Sequence, residues 1–147
     1  MQFVGDGMLC VFVDAGDTVS VNHGLRAVRA ALGLKDASKH VGGFAKQKFA
    51  GRGLPLFALN VSLHSGPVAF AQLEGMSGGI SQTAPVGDTV AGALKMFQGE
   101  PAIDWPIAVS VQTMRQVMGA VRTDRRAMVK VAGRTHPLDV VEVTGLV

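Results

Sequence analysis

The chain has 147 residues, a net charge of +3 and a pI near 9.4, with 48% apolar and 17% charged side chains. That is one domain's worth of sequence with enough apolar surface for a core, which excludes a disordered chain, and its apolar runs are too short to span a bilayer. A single cysteine excludes an intrachain disulfide, and scattered basic residues with few aromatics and no tyrosine argue against a nucleic-acid platform. No charged leader precedes an apolar segment, so a reducing, cytoplasmic location is expected, with Cys10 as a small buried hydrophobe.

The chain opens with two apolar runs around Gly5-Asp6-Gly7, spanning Gln2 to Val13. A glycine beside an aspartate at so short a corner supplies the positive φ of a two-residue hairpin turn. Asp6 then stands at a strand end with no bulky neighbour. There its carboxylate can meet a cation or a phosphate, or it is simply a good turn former. Asp17, Thr18 or Ser20 is expected to cap a helix whose apolar stripe is Val21, Leu25, Val28 and Leu32, with Arg26 and Arg29 on a solvated face. Gly33 weakens this helix, and Gly42-Gly43 is expected to interrupt a second, basic stretch carrying Lys35, Lys39, Lys46, Lys48 and Arg52.

Beyond Gly51-Arg52-Gly53, Leu54 to Leu63 reads as a strand, and Ser65-Gly66-Pro67 turns into a second one from Val68 to Leu73. His64 at this corner is expected to bond the backbone. Gly75-Met76-Ser77-Gly78-Gly79 has the letters of a hydrolase nucleophile elbow, but the next residues, Pro85 among them, are poor helix material, so a flexible loop explains the same letters. Gly87-Asp88-Thr89 starts a helix capped by Asp88 or Thr89, with Val90, Ala93, Leu94 and Phe97 inward. A loop from Glu100 to Pro106 precedes a strand at Ile107 to Val109. Ser110 then caps a short helix with Met114, Val117 and Met118 inward, Arg122 to Arg126 is a charged connection, and Met128 to Val131 pairs with Leu138 to Val143 around Gly133-Arg134. The sum is an α+β fold with helices covering a mostly antiparallel sheet.

Five stretches, in order, resemble the catalytic domain of class III adenylate/guanylate cyclases. Phe3 to Phe12 is similar to the family's second and third strands, whose "GD" turn carries one of two metal-binding aspartates. Leu59-Asn60-Val61-Ser62-Leu63-His64-Ser65-Gly66-Pro67-Val68 is similar to its "iGiHtGpv" strand and turn, and Pro85-Val86-Gly87-Asp88-Thr89-Val90 to its "viGdtVN" helix entry. Ile107-Ala108-Val109-Ser110 resembles its "i.vS" strand, and Val131-Ala132-Gly133-Arg134 with Pro137-Leu138 its closing hairpin.

The resemblance implies a ferredoxin-like cyclase fold over residues 1–147 as a single domain. It also implies that the family's first strand, with the other metal aspartate, would precede Met1, so the domain is expected to be incomplete at its N-terminus. The implied activity is conversion of ATP to cyclic AMP and pyrophosphate in intracellular signalling, at a two-metal Mg²⁺ or Mn²⁺ site shared between two chains of a homodimer, or of a heterodimer with another cyclase domain. Carried over residue by residue, Asp6 is the one metal ligand present. Gln2 stands where the family has its purine-selecting lysine, Ala84 where it has the aspartate or threonine that assists, and Ala91 where an asparagine orients the ribose. Lys95 replaces the transition-state arginine, keeping the charge without the two-pronged grip, and Arg134 is a phosphate contact. Two readings follow: a nucleotide cyclase with several substituted positions, or a catalytically degenerate cyclase module that dimerises or senses nucleotide.

Overall fold

The computed structural model describes residues 1–14, 21–74, 79 and 81–147. Its first element is the expected hairpin, β1 (Gln2–Val4) and β2 (Gly7–Leu9), paired antiparallel with Gln2 opposite Leu9. Gly5 at φ +59° and Asp6 make the two-residue turn, the left-handed geometry that a glycine accepts at low cost. Cys10 is exposed rather than buried, because β2 ends at Leu9 and Cys10 lies beyond the strand.

One uninterrupted helix comes next, α1 (His23–Lys48), 26 residues long. Gly42-Gly43 does not break it, since each glycine costs only about 1 kcal/mol in a helix interior and neither meets a structural reason to stop. The candidate caps Asp17, Thr18 and Ser20 lie outside the described residues, and Asn22 is the cap: its Oδ1 accepts the Leu25 N–H at 2.8 Å while its Nδ2 donates to the Gln116 carbonyl at 2.8 Å. Lys46 and Lys48 in the last turn suit the negative end of the helix dipole. Arg26 is not merely solvated. It donates to the Val13 carbonyl at 2.6 Å and to Asp14, fastening the segment after the hairpin to α1.

Among the described residues the central sheet has four strands in the order β3 (Val61–Leu63), β6 (Ile107–Ser110), β8 (Leu138–Leu146), β7 (Val121–Val129). β3 runs parallel to β6, and the other two pairings are antiparallel. β3 is much shorter than the expected strand, residues 54–60 having no regular structure. The closing hairpin is longer than expected, and Arg122 to Arg126 belong to β7. As an edge strand it leaves these charges in water while its backbone pairs with β8. A separate hairpin joins β4 (Ala69–Leu73) to β5 (Gln82–Val86), with Ala71 opposite Ala84. Among the described residues β5 pairs with β4 alone and so tolerates Pro85, a residue expected to interrupt regular structure here. Between β5 and β6 lies α2 (Asp88–Lys95), and α3 (Val111–Val117) comes directly after β6.

Alternation along β6 divides the core into two faces. Ile107 and Val109, fully buried, pack with Val28 and Ala31 of α1, Val117 of α3 and Val143 of β8. Ala108 faces the other way, into a cluster with Met96, Ile103, Trp105, Val129, Leu138 and Val140. Three of the four expected stripe residues lie on α1, with Leu25 and Leu32 packed against its buried Val28, while Val21 precedes the helix. Two inward assignments fail: Leu94 and Met118 are exposed, Met118 because the chain leaves α3 at Val117 and turns at Gly119 (φ +84°). Among the described residues, no helix is long and apolar enough to cross a membrane.

Candidate functional site

Two clefts, each of about 270 Å³, are lined by two of the candidate residues, Gln2 in one and Arg134 in the other. The first lies between the two separate hairpins, where Gln2 and Leu9 face Phe70, Thr83 and Pro85. The structure therefore brings the Gln2 amide, able both to donate and to accept, to the strand that bears Ala84. Ala84 itself is buried and does not line the cleft, since alternation along β5 turns Thr83 and Pro85 toward it and Ala84 away. Asp6 is exposed at the tip of the β1–β2 turn.

The second cleft lies where α2 begins, against the β7–β8 connection, and is lined by Asp88, Gly133, Arg134, Thr135 and His136. Gly133 at φ +85° makes the corner that carries Arg134, whose backbone N–H donates to the Val131 carbonyl. The Arg134 side chain is mostly buried. Its Nη1 donates to the Asp88 carboxylate at 2.5 Å and to the Asp88 carbonyl at 3.3 Å, and its Nε is buried with no partner among the described residues. A buried guanidinium N–H left unpaired is costly. Positions 88, 91 and 95 share one face of α2, so Ala91 and exposed Lys95 continue the surface that begins at Asp88. Neither Asp88 nor Thr89 caps the helix. Gly87 stands at the cap position with no side-chain bond, and the Thr89 hydroxyl donates instead to the Pro67 carbonyl at 2.8 Å.

A hydroxyl network supports the site from below. His64 Nδ1 is 2.9 Å from Ser110 Oγ, a side-chain partner where a backbone one was expected, and Ser65 Oγ is 2.8 Å from Thr113 Oγ1. Ser110 caps α3 as expected, accepting the Thr113 N–H. Burial, and then the charge of Arg134, hold the His64 pKa below its ordinary value of 6.5, with Asp88 opposing, so the ring is neutral at pH 7. Sequence reasoning missed the Asp88–Arg134 pair by treating Asp88 only as a cap. No local signal could have found it, since the two residues are 46 positions apart in sequence. Ser77, the nucleophile-elbow serine, lies outside the described residues.

Among the described residues, no group of three or more His, Cys, Asp and Glu side chains is placed to hold a metal ion. One exposed carboxylate at a turn does not by itself make a two-metal clamp.

No family model and no curated protein sequence matches the chain. Solved structures do match in fold, each overlapping 90% of this chain. The guanylyl cyclase Cya2 superposes with a TM-score of 0.67 at 18% identity over 64% of its own chain. The guanylate cyclase domain of RhGC from Catenaria anguillulae, in complex with GTP, gives 0.57 at 21% identity over 65%, and the adenylyl cyclase CyaB from P. aeruginosa gives 0.61 at 13% over 64%. This chain thus spans a little under two thirds of the length of each. With its α+β order, its mixed sheet and its three cyclase neighbours, the chain has the fold of the adenylyl and guanylyl cyclase domains.

Proposed function

We propose that the chain is a cyclase-fold module that binds a nucleoside triphosphate and, as a homodimer, converts ATP to cyclic AMP slowly or not at all. The observation that carries this reading is the α2 surface beside Arg134. It offers cationic groups to phosphates, Arg134 with a buried N–H unpaired among the described residues and exposed Lys95, yet a methyl group at Ala91 where the resemblance implies an amide for the ribose. Cyclisation needs the ribose 3′-oxygen to attack the α-phosphorus in line as the bond to the β-phosphate oxygen breaks and pyrophosphate departs. A nucleophile left unpositioned forfeits on the order of 10²-fold or more in rate. Lys95 supports phosphate charge as a point, without the fork that grips two oxygens in the transition state.

In the resembling family the site forms between two chains. The exposed apolar side chains of the two hairpins, Phe3, Val4 and Met8 on one and Phe70, Leu73 and Val86 on the other, are the kind of surface that a second chain covers. The dimer partner is a second copy or a competent cyclase domain. Bound divalent cations would screen phosphate charge, while the chain's own residues bind and orient the nucleotide.

The test is cyclic AMP formation from ATP with Mn²⁺, measured on the wild type and on Asp6→Ala. Equal, near-background product from the two is expected. Wild-type product well above that of the variant would establish a working cyclase and overturn the degenerate reading.

A further inference from the structure

The cleft at Arg134 has a titratable neighbour behind it. His64 comes directly after β3, and its ring is anchored through Nδ1 to Ser110 Oγ, a fully buried hydroxyl that also caps α3. The other edge of the ring lies against α2 at Gly92. A Cβ built there would come within 2.8 Å of His64 Cδ2, 3.2 Å of His64 Nε2 and 3.2 Å of Arg134 Nη1. The bare backbone of Gly92 therefore lets an imidazole and a guanidinium crowd one spot. The groups facing His64 are Arg134 from the β7–β8 connection, Asp88 and Gly92 from α2, Ser110 at the end of β6 and, bonded to it, Thr113 of α3. His136 is the other titratable histidine at the cleft.

We propose that His64 and Arg134 form a proton-coupled pair, in which a polyphosphate anion held on Arg134 draws a proton onto His64. The inference rests on reading Arg134 as the phosphate contact. With the cleft unliganded, burial and then the guanidinium charge both disfavour an imidazolium. An anion on Arg134 cancels much of that charge and removes the second penalty. The Ser110 hydroxyl can donate to Nδ1 or accept from it, so the anchor survives in both protonation states. Because linkage is reciprocal, an anion that raises the proton affinity of His64 is itself bound more tightly once His64 is protonated. Affinity must then rise as pH falls through the His64 titration, which lies below 6.5. His64 is a positioning residue in this scheme and acts through Arg134.

The probe is inorganic tripolyphosphate, its binding to the full chain followed by calorimetry from about pH 8 to about pH 5.5. Comparison with His64→Gln cancels the protonation of the probe itself. The wild-type affinity is expected to rise about five-fold more than that of His64→Gln over this range. His136→Gln should keep that excess. Equal slopes for wild type and His64→Gln, or an excess lost only in His136→Gln, would overturn the coupling. NMR titration of the wild-type His64 ring provides a measurement independent of any variant: its pKa should move up on adding tripolyphosphate, and an unmoved pKa refutes the pair. Arg134→Ala separates the two levels. Unchanged affinity at pH 8 would overturn the phosphate reading, whereas affinity lost in Arg134→Ala together with a wild-type His64 unmoved by tripolyphosphate would overturn only the coupling.

Discussion

Ser110 carries two structural contacts on one buried hydroxyl. Its Oγ serves α3 and His64 together, with no exposure to water. Ser110→Ala removes a cap and leaves His64 Nδ1 without its protein partner, so thermal or urea unfolding should show a loss of about 1–3 kcal/mol. Titration gives a second prediction at this scale. Hydrogen bonds from Arg125 and Arg126 hold the Glu142 and Asp139 pKa values below the usual carboxylate range, so these groups contribute stability that is present above their unfolded pKa and lost as pH falls through the folded one. For His64, whose neutral form the fold prefers, the unfolded chain binds the proton more readily, and stability is again lost on acidification below 6.5. Unfolding midpoints measured against pH should therefore be level near neutrality and fall on the acid side. In His64→Gln the part of that fall that starts near pH 6.5 should be missing.

Among the elements, α1 departs furthest from the length expected of it, and its glycines are the physical reason to test. Gly33 and Gly43 lie inside it, and a Cβ at either position would meet nothing within 4 Å. Replacing either by alanine should raise stability by roughly 0.5–1 kcal/mol in a chemical denaturation curve, and a loss would show that the glycines serve a packing role. The features legible in advance had strong local signals. The Gly5-Asp6 turn, the Val28 stripe and the Ser110 cap each depend on residues a few positions apart. β5 and the charged half of β7 were not legible, because Pro85 and Arg122 to Arg126 are tolerated only on strands with a free edge, and edge position is set by the tertiary fold. The site was legible in its parts and not in its pairing. Resemblance nominated Gln2, Ala84, Ala91, Lys95 and Arg134, but Asp88 meets Arg134 across 46 residues of sequence, and Gly92 matters only through the two side chains it admits.

At the scale of the whole molecule, two hairpins stand apart from the four-stranded sheet and carry exposed Phe3 and Phe70. If the functional unit pairs two chains across these hairpins, sedimentation should report a dimer, and Phe3→Ser should shift it toward monomer. A monomer at all concentrations in the wild type would remove the homodimer from the account. The central claim is binding without efficient turnover on a cyclase fold. Incubating radiolabelled ATP and Mn²⁺ with the full chain and analysing the bound and free nucleotide tests it most directly. The account predicts ATP bound through Arg134 and recovered intact, and cyclic AMP accumulating over many turnovers would contradict it.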